Sequence, residues 1–201
     1  MPTPSRRGLL IAFEGIDGAG KSTQIARLAQ ALRAAGATVV TTREPTQGPW
    51  GQRLRDSATT GRLSPEDELA LFIQDRTEHV ATLIRPALER GDVVLVDRYY
   101  YSSMAYQGAR GLDPEAIRVA NEAIAPRPDR VVLIEVPVEA GLARVRSRGA
   151  AADLFEREDA LRRVTAIFQG LQGDHILRFD GTQDVDTLAE QIRAAVLPLL
   201  G

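Results

Sequence analysis

Short runs of consecutive apolar residues alternate along the chain with longer stretches in which apolar residues recur every three or four positions. The short runs are rich in Val, Leu and Ile, and apolar residues at consecutive positions indicate strands that are buried on both faces. Five strands are predicted, of which the last is the weakest: GLLIAFEG (8–15), GATVVTTRE (36–44), GDVVLVDR (91–98), PDRVVLIEVP (128–137) and HILRFDG (175–181).

Helices are predicted between these strands. One runs from about Lys21 to Ala35, one from roughly Ser64 to Arg90, and one covers residues 184–200. Ser64 and Pro65 favour a helix start, because serine caps free backbone amides and proline fits the first turn. The alternation predicts an α/β fold, a doubly wound parallel five-stranded sheet, in a single domain of residues 1–201.

Charged residues occur where the predicted strands end. Asp17 lies just beyond the first strand, Arg43 and Glu44 end the second, and Asp97 and Arg98 end the third. Ligands of open α/β sheets bind at the carboxyl ends of the strands. We therefore expect one site at this edge of the sheet.

The loop after the first strand reads GIDGAGKS and fits the phosphate-binding pattern G-x-x-x-x-G-K-[ST] in full. Glycines let such a loop curl so that its N–H groups face phosphate oxygens, and the following helix adds its dipole. Lys21 would reach the β- and γ-phosphates, and the Ser22 hydroxyl would ligate or orient Mg²⁺. The expected triphosphate-binding residues are Gly15, Ile16, Asp17, Gly18, Ala19, Gly20, Lys21, Ser22 and Thr23.

Composition narrows the class of nucleotide-binding protein. Lys21 is the only lysine among 25 basic residues, which excludes the guanine-reading N-K-x-D element of GTPases. Codon bias accounts for the excess of arginine, but the position of the one lysine indicates a working ammonium, which guanidinium replaces poorly. A net charge of −2 gives no basic field for nucleic acid.

The composition argues against cysteine chemistry, histidine metal sites and membrane segments. The chain has no cysteine, which excludes disulfides and thiolate catalysis. His79 and His175 lie far apart and are expected to be packing or surface residues rather than metal ligands. The apolar run LLIAF is too short for a signal peptide or a membrane span, so we expect a cytoplasmic protein without membrane contact.

The segment VVLVDRYYYSSMAYQG (93–108) suggests a second half of the site. Asp97 ends a hydrophobic strand, as does the carboxylate that P-loop proteins direct at Mg²⁺. Arg98 could bind an acceptor monophosphate in a bidentate fork. The alternative is a strand-end ion pair of Asp97 with Arg98 or another arginine. These residues leave two classes of protein, a small P-loop kinase or a nucleotide-dependent switch.

At these residues the chain resembles the bacterial thymidylate kinases, from Leu10 to the final helix. The resemblance is carried by FEGIDGAGKST, TREP, LFIQDR, DRYYYSSMAYQG, PDRVVLIEVP and GLARVRSRG, of which LF…DR and DRY…SS.AYQG are the most specific. It implies a P-loop fold of the nucleoside monophosphate kinase type that transfers the γ-phosphoryl group of ATP to dTMP. It also implies Mg²⁺ and a homodimer.

The resemblance implies a role for each matching residue. Asp17 would contact the 3′-hydroxyl of the acceptor sugar and the metal shell, and Arg98 would bind the dTMP phosphate with Arg43 and Arg55 nearby. For the nucleoside, Phe72 would stack on thymine, Arg76 would donate to a thymine carbonyl, Ser103 and Tyr106 would line the sugar, and Gln107 would approach the base. Phe72 and Arg76 share a helix face, although a Phe at this spacing is often a core residue.

The segment GLARVRSRGAAADLFERE (141–158) resembles an arginine-bearing lid at about residues 144–156. Such a lid brings an arginine onto the ATP phosphates as the site closes, and the alternative is a solvated basic face. The candidates are Arg148, placed first, Arg144 and Arg146. Some thymidylate kinases carry this arginine in the phosphate loop, where this chain has Gly18, and relatives with glycine there supply it from the lid.

Two segments depart from the family pattern. The lid reads Asp153-Leu154-Phe155-Glu156 where relatives often read D-R-(F/I)-E, and residues 43–48 read REPTQG in place of REPGGT. The sequence therefore predicts a thymidylate kinase, with two alternatives. One is a kinase for another nucleoside monophosphate, and the other is a catalytically idle ATP-binding switch.

Overall fold

The computed structural model describes residues 7–147 and 154–200, and only the backbone of residues 58, 59 and 154–157. Its sheet has five parallel strands in the order β2-β3-β1-β4-β5. They lie in the five predicted segments, as β1 (Leu9–Glu14), β2 (Val39–Arg43), β3 (Val93–Asp97), β4 (Arg130–Glu135) and β5 (Ile176–Asp180). The predicted five-stranded parallel sheet is confirmed.

Helices connect the strands. The described helices are α1 (Lys21–Ala34), α2 (Pro49–Thr60), α3 (Pro65–His79), α4 (Arg85–Glu89), α5 (Tyr100–Gly108), α6 (Pro114–Glu122), α7 (Val138–Arg146), α8 (Leu154–Gly170) and α9 (Val185–Val196). A π-helical turn, Val80–Ile84, joins α3 to α4, so the stretch predicted from Ser64 to Arg90 is helical nearly throughout. As predicted, Ser64 caps α3 by accepting from the Asp67 amide at 3.0 Å.

The central strands form the hydrophobic core because both of their faces are covered. Every residue of β1 after Leu9 is buried, as are the first four residues of β3 and the middle four of β4. No described helix is long and apolar enough to cross a membrane.

Strand register brings the charged strand ends together. Asp97 at the end of β3 lies beside Phe13 of β1 on one side and Arg43 of β2 on the other. The loops that follow β1, β2 and β3 therefore leave the sheet at the same edge. The candidate site lies there, as expected for an open parallel sheet.

Candidate active site

The phosphate loop connects β1 to α1 in a conformation that needs glycine. Gly18 and Gly20 have φ angles of 84° and 99°, which side-chain-bearing residues rarely adopt. A Cβ atom on Gly18 would also lie 2.3 Å from the Gly141 carbonyl oxygen of α7. The loop is therefore packed against the backbone of α7, and its glycines permit that contact.

Lys21 lies inside the loop. Its Nζ donates to the carbonyl oxygens of Gly15 at 3.0 Å and Ile16 at 3.1 Å. Burial lowers the pKa of Lys21 to about 8, and the positive charge of Arg98 acts in the same direction. An ammonium has three N–H donors, so two contacts within the described residues leave one for a phosphate oxygen.

Ser22 and Asp97 form a polar pair beside the loop. The Ser22 hydroxyl donates to Oδ2 of Asp97 at 2.8 Å. The other oxygen, Oδ1, is buried and has no hydrogen-bond partner among the described residues. Leaving a buried carboxylate oxygen without a partner costs stability, and a hard cation would satisfy it. The pair therefore fits a magnesium ion.

Arg98 has a strained backbone and a fixed guanidinium. Its φ of 68° lies in the left-handed region, which is uncommon for residues with a side chain and often marks functional sites. Its Nη2 donates to Asp17 Oδ1 at 2.8 Å and to the Tyr106 hydroxyl at 3.2 Å, and its Nη1 donates to Ser102 Oγ at 3.0 Å. Arg98 thus pairs with Asp17, whereas the alternative drawn from the sequence paired Asp97 with Arg98 or another arginine.

Two cavities meet at Asp17 and Arg98. The first, of about 180 Å³, lies on the phosphate loop and is lined by Asp17, Gly18, Gly20, Lys21, Ser22, Thr23, Arg43, Asp97 and Arg98. The second, of about 230 Å³, is lined by Asp17, Glu44, Pro45, Arg62, Glu68, Phe72, Arg76, Arg98, Tyr99, Ser102, Ser103, Tyr106 and Gln107. We refer to them as the donor cavity and the acceptor cavity.

Most residues expected at the site line one of these cavities. Phe72 is partly exposed to the acceptor cavity, whereas Leu69 of the same helix packs against the core. Arg43 lines the donor cavity rather than the acceptor cavity. Arg55 is not among the lining residues of either cavity, and it donates to the Pro45 carbonyl oxygen at 3.4 Å.

Arg76 is held in the acceptor cavity by a buried network. Its side chain is 1% exposed, and its Nε and Nη2 donate to Glu44 Oε2 at 2.8 and 2.6 Å. Its Nη1 donates to Asn121, and its Nη2 lies 3.4 Å from Ser103 Oγ. Five N–H groups are available on a guanidinium. Within the described residues, one N–H of Nη1 is therefore left for a ligand.

The two histidines lie in buried hydrogen-bond networks. His79 Nδ1 contacts Glu44 Oε1 at 3.0 Å, and its Nε2 contacts the Thr42 hydroxyl at 2.8 Å. His175 contacts the Tyr101 hydroxyl at 2.7 Å and accepts from Arg127 at 2.9 Å. Both are packing residues, and His79 supports the carboxylate that holds Arg76.

One candidate lid arginine contacts the phosphate loop. Arg144 of α7 donates to the Gly18 carbonyl oxygen at 3.2 Å and to the Gly181 carbonyl oxygen at 3.0 Å. Arg146 is exposed, and its Nε lies 3.4 Å from the Leu142 carbonyl oxygen of its own helix. Arg148, placed first from the sequence, lies outside the described residues.

Glu14 is a site residue that the sequence did not point to. It is 0% exposed and accepts from the Tyr99 amide at 2.8 Å, the Ser102 amide at 3.2 Å and the Ser102 hydroxyl at 2.6 Å. It therefore anchors the start of α5, and Ser102 connects it to Arg98. The sequence feature that could have pointed to Glu14 is a carboxylate at the end of an otherwise apolar run, LLIAFE (9–14).

The chain is similar to known proteins of one enzyme family. The thymidylate kinase family model matches residues 13–192. The thymidylate kinase of Xanthomonas campestris pv. campestris (strain B100) is 52% identical over 195 residues, which cover 96% of this chain and 85% of that protein. The thymidylate kinase of Akkermansia muciniphila is 52% identical over 194 residues, which cover 96% of this chain and 94% of that protein.

Glu14 should make stability depend on pH. Burial raises its pKa from 4.5 to about 7, although Ser102, Arg98, Tyr99 and Lys21 all favour the ionised form. The folded protein therefore binds this proton more tightly than the unfolded chain does. Glu14 contributes about 3 kcal/mol to the free energy of unfolding below pH 4.5, and this contribution is lost as the pH rises through 7.

Glu14→Gln should remove most of this pH dependence, because the amide has no charge to bury. Denaturant unfolding of the variant and the wild type between pH 4.5 and 8 measures it. Glu66→Gln, at an exposed position of α3, is the control. An equal loss of stability with rising pH in wild type and Glu14→Gln would contradict the assignment.

Proposed function

Since the chain belongs to the thymidylate kinase family, we propose that it transfers the γ-phosphoryl group of ATP to dTMP, giving ADP and dTDP. The meeting of the donor and acceptor cavities at Asp17 and Arg98 carries the proposal. A phosphate bound in each cavity would face the other across these two side chains. Phosphoryl transfer needs little besides such positioning and the neutralisation of charge.

Three basic residues of the chain supply positive charge around the transferred group. The loop amides and Lys21 bind the ATP phosphates, and Arg98 binds the phosphate of dTMP from the acceptor side. Arg144 adds a third charge, supported by its contact with the Gly18 carbonyl of the loop. Asp17 holds Arg98 in place and would contact the 3′-hydroxyl of the acceptor sugar.

Mg²⁺ is the metal we propose for the donor cavity. Ser22 and Asp97 would hold it, and Asp97 Oδ1, which has no hydrogen-bond partner in the described part of the chain, supports this choice. When bound, the ion neutralises charge on the β- and γ-phosphate oxygens.

The acceptor cavity supports recognition of a pyrimidine. Phe72 offers a ring face, and the remaining Nη1 donor of Arg76 suits a base carbonyl. Ser103 and Tyr106 line the same cavity and would contact the sugar of the acceptor. Tyr106 also stacks with Arg98, whose guanidinium carbon lies 5.0 Å from its ring centroid.

Three further proposals come from the family resemblance alone. The first is a homodimer, for which the partly exposed Leu71 and Ile73 of α3 offer apolar surface. The second is a lid at about residues 144–156 that closes on ATP. The third is a location in the cytoplasm.

ADP release by the purified protein with ATP and Mg²⁺, with and without each nucleoside monophosphate, tests the proposal. We expect strong stimulation by dTMP and little by dCMP or dGMP. Stronger stimulation by a different monophosphate would show that this monophosphate, and not dTMP, is the acceptor. ATP binding without stimulation by any acceptor would favour the idle switch.

Lys21→Ala should reduce turnover by at least a hundredfold, because removing one electrostatic contact to the transition state typically costs 10²–10³. Lys21→Arg keeps the charge but replaces a compact ammonium with a planar guanidinium, and we expect its turnover to be nearly as low as that of Lys21→Ala. Initial rates at saturating ATP and dTMP measure both, and circular dichroism checks the fold. Near-wild-type turnover of Lys21→Ala would refute the role of the loop lysine.

Arg76→Lys should raise the KM for dTMP about tenfold or more and leave the KM for ATP within about twofold, because the guanidinium contacts of the acceptor cavity are lost while Arg76 does not line the donor cavity. Lysine is chosen because an apolar side chain would leave the buried Glu44 carboxylate without its partner. Arg193→Lys, at a partly exposed position of α9 that lines neither cavity, is the control. Equal shifts in the two KM values would show that Arg76 does not read the base.

A further inference from the structure

Helices α3 and α5 are joined at the acceptor cavity by a polar contact between Glu68 and Gln107. Gln107 is 2% exposed, and its Nε2 donates to Glu68 Oε2 at 2.8 Å. Its carbonyl oxygen, Oε1, is buried without a hydrogen-bond partner among the described residues. Both side chains line the acceptor cavity.

The direction of the Gln107 amide follows from the chemistry of its partner. An ionised carboxylate only accepts hydrogen bonds, so the –NH₂ group of Gln107 must face Glu68. Turning the amide over would place two oxygens against each other. The carbonyl oxygen is thereby left as the acceptor that Gln107 can offer to a ligand.

Glu68 is itself held in place by two arginines. Its Oε2 accepts a second hydrogen bond, from Arg110 Nη1 at 2.6 Å, and Arg110 Nη2 donates to the Leu63 carbonyl oxygen at 2.7 Å. Arg62 adds positive charge, with its Nε 3.7 Å from Glu68 Oε1. These contacts fix the carboxylate in position, and through it the amide of Gln107.

We propose that Glu68 is a specificity-determining positioning residue, which orients the Gln107 carbonyl to accept from an N–H donor on the nucleobase. The inference rests on the proposed function and explains how the site selects the base of the acceptor nucleotide. Thymine and uracil carry an N–H between two carbonyl groups, so one edge offers a donor to Gln107 and an acceptor to Arg76. With the C4 carbonyl placed at Arg76, cytosine offers a ring nitrogen lone pair to Gln107 and an amino group to Arg76 instead, and these oppose both side chains.

The expected discrimination is large because both protein groups are buried. A site built to bind an N–H through hydrogen bonds rejects a base that lacks it by leaving its own polar groups unpaired. Without Glu68, the Gln107 amide can turn, and its –NH₂ group can then donate to the cytosine ring nitrogen. Loss of Glu68 should therefore lower selectivity, whereas a purely structural role would lower activity on all bases alike.

Glu68→Met, which removes the acceptor and keeps the length of the side chain, tests the proposal. We expect the ratio of kcat/KM for dTMP to that for dCMP to fall at least tenfold, mainly through a higher KM for dTMP, with the KM for ATP unchanged. Glu66→Met, at an exposed position of the same helix, should keep the wild-type ratio. In a Gln107→Met background, Glu68→Met should not change the ratio further, because no amide remains to be oriented.

Two results would overturn the inference. One is a wild-type ratio in Glu68→Met with dTMP still turned over, and the other is an equal effect of Glu68→Met with and without Gln107. If circular dichroism shows that Glu68→Met does not fold, the isosteric variant Glu68→Gln is assayed instead. Its uncharged amide can donate or accept, so it no longer forces one orientation on the Gln107 amide. The ratio should then fall about threefold or more, and an unchanged ratio would overturn the inference. A wild-type protein that ignores dTMP would instead refute the proposed function.

Discussion

The ion pair between Arg98 and Asp17 is the interaction on which the arrangement of the site depends. It joins the end of β3 to the phosphate loop, and it forms the boundary that the two cavities share. Arg98 reaches this place because its backbone turns into the left-handed region while its N–H still bonds to the Phe13 carbonyl oxygen of β1 at 2.9 Å. The strain at that residue therefore fixes the guanidinium at the boundary between the donor cavity and the acceptor cavity.

Carboxylates hold the basic groups of the acceptor half in place. Glu44 holds Arg76, Glu68 holds Arg110, and Asp17 holds Arg98, each through a direct ion pair. Burying a charge is costly unless it is paired and hydrogen-bonded, so these pairs keep the donors charged and oriented before a substrate arrives. Such preorganisation is what electrostatic stabilisation of phosphoryl transfer requires.

The sequence predicted those features that depend on neighbours along the chain. The strands followed from apolar runs buried on both faces, and the phosphate loop from eight consecutive residues. Helices α2, α5, α6 and α8 were not predicted. Six of the nine residues of α5 are buried, so it lacks the alternation of an amphipathic helix. The contacts of Glu14, Glu44 and Glu68 span 88, 32 and 39 residues, and no local pattern encodes them.

The packing of Gly18 against Gly141 explains why a positive charge from α7 fits this phosphate loop. A Cβ atom at residue 18 would lie 2.3 Å from the Gly141 carbonyl oxygen, so a side chain there would force α7 away from the loop. With glycine at both positions, α7 approaches closely enough for Arg144 to reach the Gly18 carbonyl oxygen. An arginine at position 18 and an arginine supplied by α7 at this distance are thus mutually exclusive, and this chain has the second arrangement.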